Sequence, residues 1–344
     1  MAYRLKLNEP IDDAVRRILG EEIDAAVHEL AEGKDRVKAV HEARKALKRA
    51  RALLKLVRRG LPKDVYKDEN RRFRDVARLL SGTRDRDVLV ATAQTLAAGR
   101  SPEARKVADA IAAAPSAPAG VGARSAKEAI ADAIAGLEKA RAELATMRFD
   151  KKGFGVLLKG LERTYRDGRR AMHEVLDEHH DEAFHEWRKA VQAHWRHMAL
   201  LERAWPEHFE ARVTLAKEIS ELLGEDHDLA VLIDHLRGDN GKGNTSTGAH
   251  DLVDAARARQ AEIRQLLRPK GEALYAEGAG EFSDRIAAYW TAAKAERRLL
   301  REMKAGNTPE KGAAGKVAAA TGSAKPSRAK AGKAATRASG GKRA

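Results

Sequence analysis

A short motif occurs twice in this chain, and the repetition constrains the fold more than any other feature of the sequence. The run HEARKA at 41–46 returns as HEWRKA at 185–190. Further along each half, LL-x3-RD-x2-VL at 79–89 returns as LL-x3-HD-x2-VL at 222–232. Because the motifs recur in the same order at nearly the same spacing, the sequence predicts two similar helical bundles related by an approximate twofold axis.

The residue composition favours helices along most of the chain. Ala, Leu, Glu, Arg and Lys dominate, and these residues lose little side-chain freedom in a helix. Alternating runs of β-branched residues, which are typical of strands, are nearly absent. We therefore predict an all-α fold. In its first half we expect helices over about 11–32 and over 84–97, among others. In its second half we expect one helix over 206–223 and a separate short helix over 227–236.

The composition also divides the chain into a domain and a tail. We predict one helical domain over 1–304, with a first repeat at 10–111, an Ala/Pro/Gly connector at 112–122 and a second repeat at 123–304. The tail over 305–344 holds nine Lys or Arg residues, a single acid and almost no core-forming residues. Such a segment cannot offset its chain entropy by burial, so we expect it to be disordered.

Several absences narrow the class of protein. Cysteine is missing, which excludes disulfides and thiolate chemistry and is typical of a reducing compartment. The first ten residues contain no apolar signal region. No stretch approaches the roughly 18 consecutive apolar residues of a membrane helix. We expect a soluble, cytoplasmic protein that does not enter a membrane, and the sequence leaves its oligomeric state open.

The helix that begins near His41 has a basic stripe on one face. Its cations are spaced by four, three, four and three residues, so they share that face over about four turns. They are Arg44, Lys48, Arg51, Lys55 and Arg58. No acid follows Glu42 in this helix, and like charges at this spacing repel each other. The stripe therefore needs acids from neighbouring helices or an anionic ligand.

The second copy of the motif is less basic but similarly placed. Gln192 stands where the first copy has Lys48. Its own helix and the preceding one offer His185, Arg188, Lys189, Arg196, His197, Arg163, Arg166 and Arg170. If the two bundles face each other, both stripes would line one basic groove, which would suit a polyanion.

Together these motifs resemble the CHAD family, the conserved-histidine α-helical domains. The resemblance rests on His-x-x-Arg-Lys-x-x-Lys-Arg-x-Arg from His41 to Arg51, on Leu-x4-Arg-Asp-x-Asp-Val from Leu79 to Val88, and on their second-repeat counterparts, and it covers roughly residues 3–304. It implies two pseudo-twofold-related four-helix bundles that form one compact helical domain with a basic central channel. It also implies binding of inorganic polyphosphate and association with polyphosphate granules.

Some members of the family carry an adjacent triphosphate-tunnel domain with a Glu-x-Glu-x-Lys strand. No such motif occurs here, so the chain resembles a stand-alone member. The resemblance implies polyphosphate contacts in both repeats, and the stripe spacing extends them to Lys55, Arg166 and Arg170. The expected contacts are His41, Arg44, Lys45, Lys48, Arg49, Arg51, Lys55, Arg84, Arg166, Arg170, His185, Arg188, Lys189, Arg196 and His197. Since His41 and His185 titrate near neutrality, we expect binding to strengthen as pH falls.

Three other functions stay open on the sequence alone. Nine of the twelve histidines lie between His173 and His235, and His194 and His197 would suit a transition metal, although the surrounding Arg and Lys residues repel cations. The basic tail predicts weak, non-specific nucleic-acid binding. A phosphate-binding Gly loop, a Ser/His/Asp set and an acid cluster are all absent, so we expect no catalysis, no cofactor and no metal.

Overall fold

Helices account for the regular structure of this protein, which we analysed as a computed structural model. It describes residues 3–80, 84–114, 125–178, 181–238 and 244–304, and the side chains of residues 84, 85, 126 and 176–178 lie outside the described part. No strand occurs among the described residues, which confirms the all-α prediction. The predicted tail and most of the predicted connector lie outside the described residues.

Eleven α-helices follow each other along the described part of the chain. They are α1 Ile11–Glu32, α2 Arg36–Val57, α3 Lys63–Leu79, α4 Arg84–Ala97, α5 Pro102–Ala113, α6 Ala126–Glu143, α7 Phe154–Glu178, α8 Asp181–Leu201, α9 Pro206–Arg237, α10 Thr247–Leu274 and α11 Ala279–Lys304. Single 3₁₀ turns continue α2, α6 and α8. The first motif lies on α2 and its second copy lies on α8.

Capping side chains fix where several helices begin. At the start of α2, Asp35 Oδ1 accepts hydrogen bonds from the backbone N–H groups of Val37 (2.9 Å) and Lys38 (3.1 Å). At the start of α6, Ser125 and Glu128 form a reciprocal capping box. Such bonds satisfy N–H groups that the first helical turn leaves without an intrahelical partner. The helix that bears the first motif therefore starts at a defined residue.

The helices pack in two groups that meet at α2. Helix α1 packs against α2 and α6, and α3 packs against the same two helices. Helices α7, α8, α9 and α10 each pack against the next one, and α4 lies on α9 and α10 with α5 beside it. Because α2 also contacts α7 and α8, the two motif helices lie side by side. The packing crosses the expected repeat boundary, and the twofold relation stays a prediction.

A close approach at Gly160 brings α7 against α2. A Cβ atom at this position would lie 1.9 Å from the carbonyl oxygen of Leu56, far inside van der Waals contact. Only glycine lets the two backbones meet at this distance. The contact holds the carboxyl-terminal half of α2 against α7. This half of α2 carries Arg51 and Lys55 of the basic stripe.

Helix α9 corrects a predicted boundary, because it runs without a break from Pro206 to Arg237. The sequence predicts two helices separated near Gly224. Gly224 and Asp226 are both buried in the structure, and Arg264 Nε donates to Asp226 Oδ1 at 2.8 Å. Glycine costs a helix only about 1 kcal/mol relative to alanine, so these tertiary contacts outweigh the local signal.

Contacts between residues group 1–297 into one unit, while the last two turns of α11, from Arg298, belong to a second unit. Within the first unit, α11 buries Phe282, Ile286 and Trp290. The Trp290 ring stacks on Phe154 of α7 with 4.6 Å between the ring centroids. The side chains from Arg298 to Lys304 are exposed.

Candidate anion-binding site

A cavity of about 220 Å3 joins the two copies of the motif, and we call it the motif pocket. It lies where α2, α4, α8 and α9 meet. Its described lining residues are Arg44, Lys48, Val88, Leu89, Arg188, His227, Asp228 and Val231. Arg44 and Lys48 come from the first motif and Arg188 comes from its second copy. The structure thus brings together cations that lie far apart in the sequence.

On the α2 side, the helix itself sets the direction of the cations. Ala43 and Leu47 are buried in the core, which turns Arg44 and Lys48 towards the opposite edge of the helix. The Arg44 Nη1 atom donates to the carbonyl oxygen of Leu80, just after α3, at 3.0 Å. This bond holds the guanidinium group at the pocket, whereas Lys48 is exposed.

On the α8 side, Arg188 lies over a glycine of α9. A Cβ atom at Gly224 would lie 3.4 Å from Arg188 Nη2, an ordinary van der Waals distance, so the guanidinium group lies directly against α9 at this residue. One turn earlier, the rings of His185 and His227 lie 4.8 Å apart. Burial lowers the pKa of His185 below its ordinary value, and the nearby charges of Lys189 and His227 lower this pKa further.

From the pocket towards the carboxyl terminus of α2, the stripe continues as a row of half-buried cations. Arg51 Nε donates to Asn70 Oδ1 at 3.2 Å, and Arg163 of α7 donates to the carbonyl oxygen of Lys55. Burial lowers the pKa of Lys55 and of Arg163, and the charge of Asp167 opposes this shift in both. The cations are therefore dense in this part of the surface, and Asp167 is close enough to act on two of them.

Helix α3 adds cations that the sequence reasoning missed. Burial lowers the pKa of Arg51, and the charges of Arg74 and Arg78 lower it further. These two arginines therefore stand close to the α2 stripe. The signal was present in the sequence, because Lys67, Arg71, Arg74 and Arg78 repeat the spacing of four, three and four residues. Asp75 lies 3.1 Å from Arg74 Nε and 3.7 Å from Arg78 Nη1.

Four of the predicted contacts are exposed and paired with an acid of their own helix. Lys45 Nζ lies 2.9 Å from Glu42, and Lys189 Nζ lies 2.6 Å from Glu186 in the second copy. Arg166 pairs with Glu162, and Arg170 Nε lies 3.6 Å from Glu174. Exposed pairs of this kind are worth roughly 0–1 kcal/mol. They leave these cations able to exchange a carboxylate for a phosphate.

Three other predicted contacts point into the protein, away from the motif pocket. Arg49 lies 2.7 Å from the buried carboxylate of Glu22 on α1. Arg196 is buried with its guanidinium carbon 4.2 Å from the centre of the Trp195 ring, and burial lowers its pKa to about 10. His197 is fully buried, its Nε2–H donates to the carbonyl oxygen of Ala52 at 2.9 Å, and burial lowers its pKa to about 3.

Two predicted contacts lie at the margin of the described site. His41 is half-buried near the start of the α2 stripe, and it is not among the described residues that line the pocket. Arg84 begins α4, but its side chain lies outside the described residues. His227 and Asp228, in contrast, line the pocket although neither was predicted as a contact.

Two further observations bear on the alternatives. Among the described residues, no group of three or more His, Cys, Asp or Glu side chains is placed to hold a metal ion. No described helix is both long enough and apolar enough to cross a membrane.

The fold and the site define an all-α protein with a cationic pocket built from two copies of one motif. The family model of the CHAD domain matches residues 13–237, and the chain belongs to the CHAD family. This family is linked to polyphosphate binding. A comparison with curated proteins finds no match. Helices α10 and α11 lie beyond the matched residues.

Proposed function

We propose that this protein binds inorganic polyphosphate at the motif pocket and does not convert it chemically. One observation carries the proposal: Arg44 and Lys48 of the first motif and Arg188 of the second line the same cavity. Arg and Lys donate charge-assisted hydrogen bonds to phosphate oxygens. Membership of a family linked to polyphosphate supports the same ligand.

The polymer leaves the pocket along α2 in this proposal. Arg51, Lys55 and Arg163 extend the row of cations beyond the pocket, and Arg74 and Arg78 of α3 flank it. The exposed and paired cations Lys45, Lys189, Arg166 and Arg170 add to the potential around this path without fixing it. Arg49, Arg196 and His197 have no part in it, because their charged or polar groups face other protein groups in the interior.

A polyphosphate chain carries about one negative charge per phosphate, so its binding should be driven mainly by the release of counterions. For flexible single-stranded polyanions, the slope of log K against log salt concentration is about 0.7 for each phosphate contact. The slope therefore counts the contacts, which a single affinity value does not do. The salt dependence of the affinity is therefore the measurement that tests the motif pocket.

The decisive variant combines Arg44→Gln, Lys48→Gln and Arg188→Gln in the full chain. Calorimetric titration with polyphosphate of defined length should show at least a hundredfold loss of affinity at low salt, because three charge-assisted bonds are lost. The salt slope should become shallower by about 2, at roughly 0.7 for each lost contact. The tail contributes equally to the variant and to the parent protein, so it does not affect the comparison.

The matched control removes three exposed cations that form no ion pair among the described residues: Arg105→Gln, Lys106→Gln and Lys294→Gln. It changes the net charge equally and should lower the affinity only slightly. Equal losses in both triple variants would show that net charge, not the pocket, determines binding. Displacement of polyphosphate by DNA at equal phosphate concentration would favour the nucleic-acid alternative.

The histidines beside the pocket predict a pH dependence. Protonation of His185 adds a positive charge, and its pKa lies below the ordinary value of 6.5. Polyphosphate affinity should therefore rise mainly as pH falls below 6.5. His185→Gln should flatten this rise, while His173→Gln, on an exposed face of α7, should not. An affinity that stays constant from pH 8 down to the lowest pH at which the protein remains folded would exclude this role, and His41→Gln tests His41 in the same way.

The proposal has two further parts. The protein does not catalyse a reaction of polyphosphate, and in cells it associates with polyphosphate granules in the cytoplasm. Purified protein should release no orthophosphate from polyphosphate over hours. In cells, a fluorescent fusion of the parent protein should mark polyphosphate granules, and the Arg44, Lys48, Arg188 triple variant should not. Orthophosphate release, or unchanged localisation of the triple variant, would count against the respective part.

A further inference from the structure

A second basic cavity lies between α9 and α10, beside the start of α8, and none of its residues belongs to the motif pocket. It has a volume of about 610 Å3, which is in the usual range for small-ligand sites. Arg237 and Asp234 line it from α9, and Arg257 and Arg268 line it from α10. We call it the α10 groove. The α10 residues lie beyond the part of the chain that matches the family model.

Most cations of α10 outside the groove are neutralised by acids of α9. Arg259 lies 2.7 Å from Glu225, and Lys270 lies 2.7 Å from Glu218. In contrast, Arg237 and Arg257 form no ion pair within the described residues. Arg268 has only an exposed contact of 3.3 Å with Glu272. The groove therefore holds two arginines, Arg237 and Arg257, whose charges no acid of the described residues neutralises by an ion pair.

The floor of the groove is fixed in place before any ligand arrives. Arg264 donates through Nε to Asp226 at 2.8 Å and through Nη2 to Asp181 at 2.6 Å, and its guanidinium carbon lies 4.1 Å from the centre of the Phe184 ring. Gln260 Nε2 donates to the carbonyl oxygen of Asp226 at 3.1 Å. A preorganised site loses little conformational entropy on binding. Arg264 is thus structural, and the rim arginines are left to bind the ligand.

The groove is not uniformly basic, and this restricts the class of ligand that it can bind. Asp234 lines it between the rim arginines of the two helices, while Ile233 and Ala261 supply an apolar wall. A carboxylate repels a bare oligophosphate but accepts hydrogen bonds from hydroxyl or amino groups. The combination suits a molecule with one phosphate end, hydrogen-bond donors near it and an apolar or planar remainder.

We propose that the α10 groove is a binding site for a small phosphate ester with neighbouring hydroxyl groups, such as a nucleotide. Arg237 and Arg257 hold the phosphate, and Asp234 accepts from a hydroxyl group. The site is independent of polyphosphate binding at the motif pocket. It therefore stands or falls separately from the proposed function.

The test uses the full chain with Arg44→Gln, Lys48→Gln and Arg188→Gln as background, so that the motif pocket does not contribute. Calorimetric titration with AMP should show one saturable site per chain. Adding Arg237→Gln and Arg257→Gln should weaken AMP binding at least tenfold, since two charged donors are lost. The matched change Arg105→Gln and Lys106→Gln should leave it within twofold. Absence of saturable AMP binding, or equal losses in both variants, would overturn the site.

Asp234→Asn then tests the class of ligand. Removal of the carboxylate should strengthen binding of inorganic pyrophosphate, because a repulsive charge is lost, and should weaken binding of AMP, because an acceptor for a hydroxyl group becomes poorer. These opposite signs support a phosphate ester with donors. A change of the same sign for both probes would overturn the assignment of ligand class.

Discussion

Helices α2 and α8 begin with the same motif but place their later cations differently. In both, the motif arginine reaches the motif pocket, Arg44 from one side and Arg188 from the other. Beyond that point α2 keeps Lys48, Arg51 and Lys55 at least partly open to solvent, whereas α8 buries Arg196 and His197. The second copy therefore has the motif end of the stripe at the pocket and the other end in the core.

The reason for this difference lies in what covers each helix. Helix α8 is packed by α7, α9 and α2, so a polar group on its buried face needs a partner in the interior. Arg196 has the Trp195 ring and the carbonyl oxygen of Gln192. His197 is neutral at ordinary pH, and its ring bonds to the backbone of α2 at Ala52. Basic residues in two related helices therefore do not have equal capacity to bind an anion.

The largest expected effect on stability concerns Arg49. This cation lies on α2, but its charge faces the protein interior, like that of the buried Arg196 on α8. Burial raises the pKa of its partner Glu22, and Arg49 opposes this shift. Arg49→Ala should lower the free energy of unfolding by about 3 kcal/mol at pH 7, because it leaves a buried charge without its partner. The loss should become smaller as pH falls, because a protonated Glu22 no longer needs the charge of Arg49.

Urea unfolding measures this change, and Lys38→Ala, an exposed cation of the same helix, is its control. Polyphosphate affinity of Arg49→Ala should stay within twofold of the parent. If the affinity instead falls as far as it does for Arg44→Gln, then Arg49 belongs to the binding site. The distinction between surface cations that bind the anion and buried cations that stabilise the fold would then fail.

A smaller effect should appear in acid, and it concerns the buried histidine of α8. The unfolded chain binds a proton at His197 near pH 6.5, while burial holds the folded pKa at about 3. Stability should therefore fall as pH drops below 6.5, by up to about 1.4 kcal/mol per pH unit from this residue. Between pH 7 and 5 the contribution is about 2 kcal/mol, which His197→Gln should remove.

Unfolding free energies at pH 7 and pH 5 check this prediction, with the exposed His173→Gln as control. If His197→Gln does not fold, the ring proton signals of the parent protein provide a second measurement. His197 should not titrate between pH 8 and 5, because burial holds its pKa at about 3. Titration of His197 in that range would contradict its burial as a neutral group.

The smallest effect would restore part of the missing stripe on α8. Gln192 occupies the position of Lys48 and is only half-buried. Gln192→Lys should raise polyphosphate affinity by about two- to fivefold, the equivalent of one exposed ion pair. The same substitution at the exposed Gln94 of α4 serves as control. An equal gain at both positions would reflect net charge alone.

Much of the fold followed from local signals, because helix formers, caps and apolar spacing act within a few residues. The sequence predicts α1 at Ile11–Glu32 and α4 at Arg84–Ala97 with the observed bounds. It predicts Arg44, Lys48 and Arg188 as candidate contacts, since the repeated motif marks them. Their role in binding polyphosphate stays a prediction.

What the sequence could not predict depends on partners distant in the chain. The pairing of Arg49 with Glu22 and the burial of His197 at Ala52 require knowledge of which helices lie opposite. The same applies to the predicted break near Gly224, where the local signal favours an end but contacts from α8 and α10 favour continuity. Residue type determines whether a side chain can bind an anion, and packing determines whether its charged group is accessible to one.

The continuity of α9 also restricts how this sequence can change over time. The helix carries His227 and Asp228 for the motif pocket and Asp234 and Arg237 for the α10 groove. One residue inserted or deleted between them would rotate one set by about 100° relative to the other. Substitutions along this helix can be gradual, but a change of length would displace two sites at once, so length should vary in the loops instead.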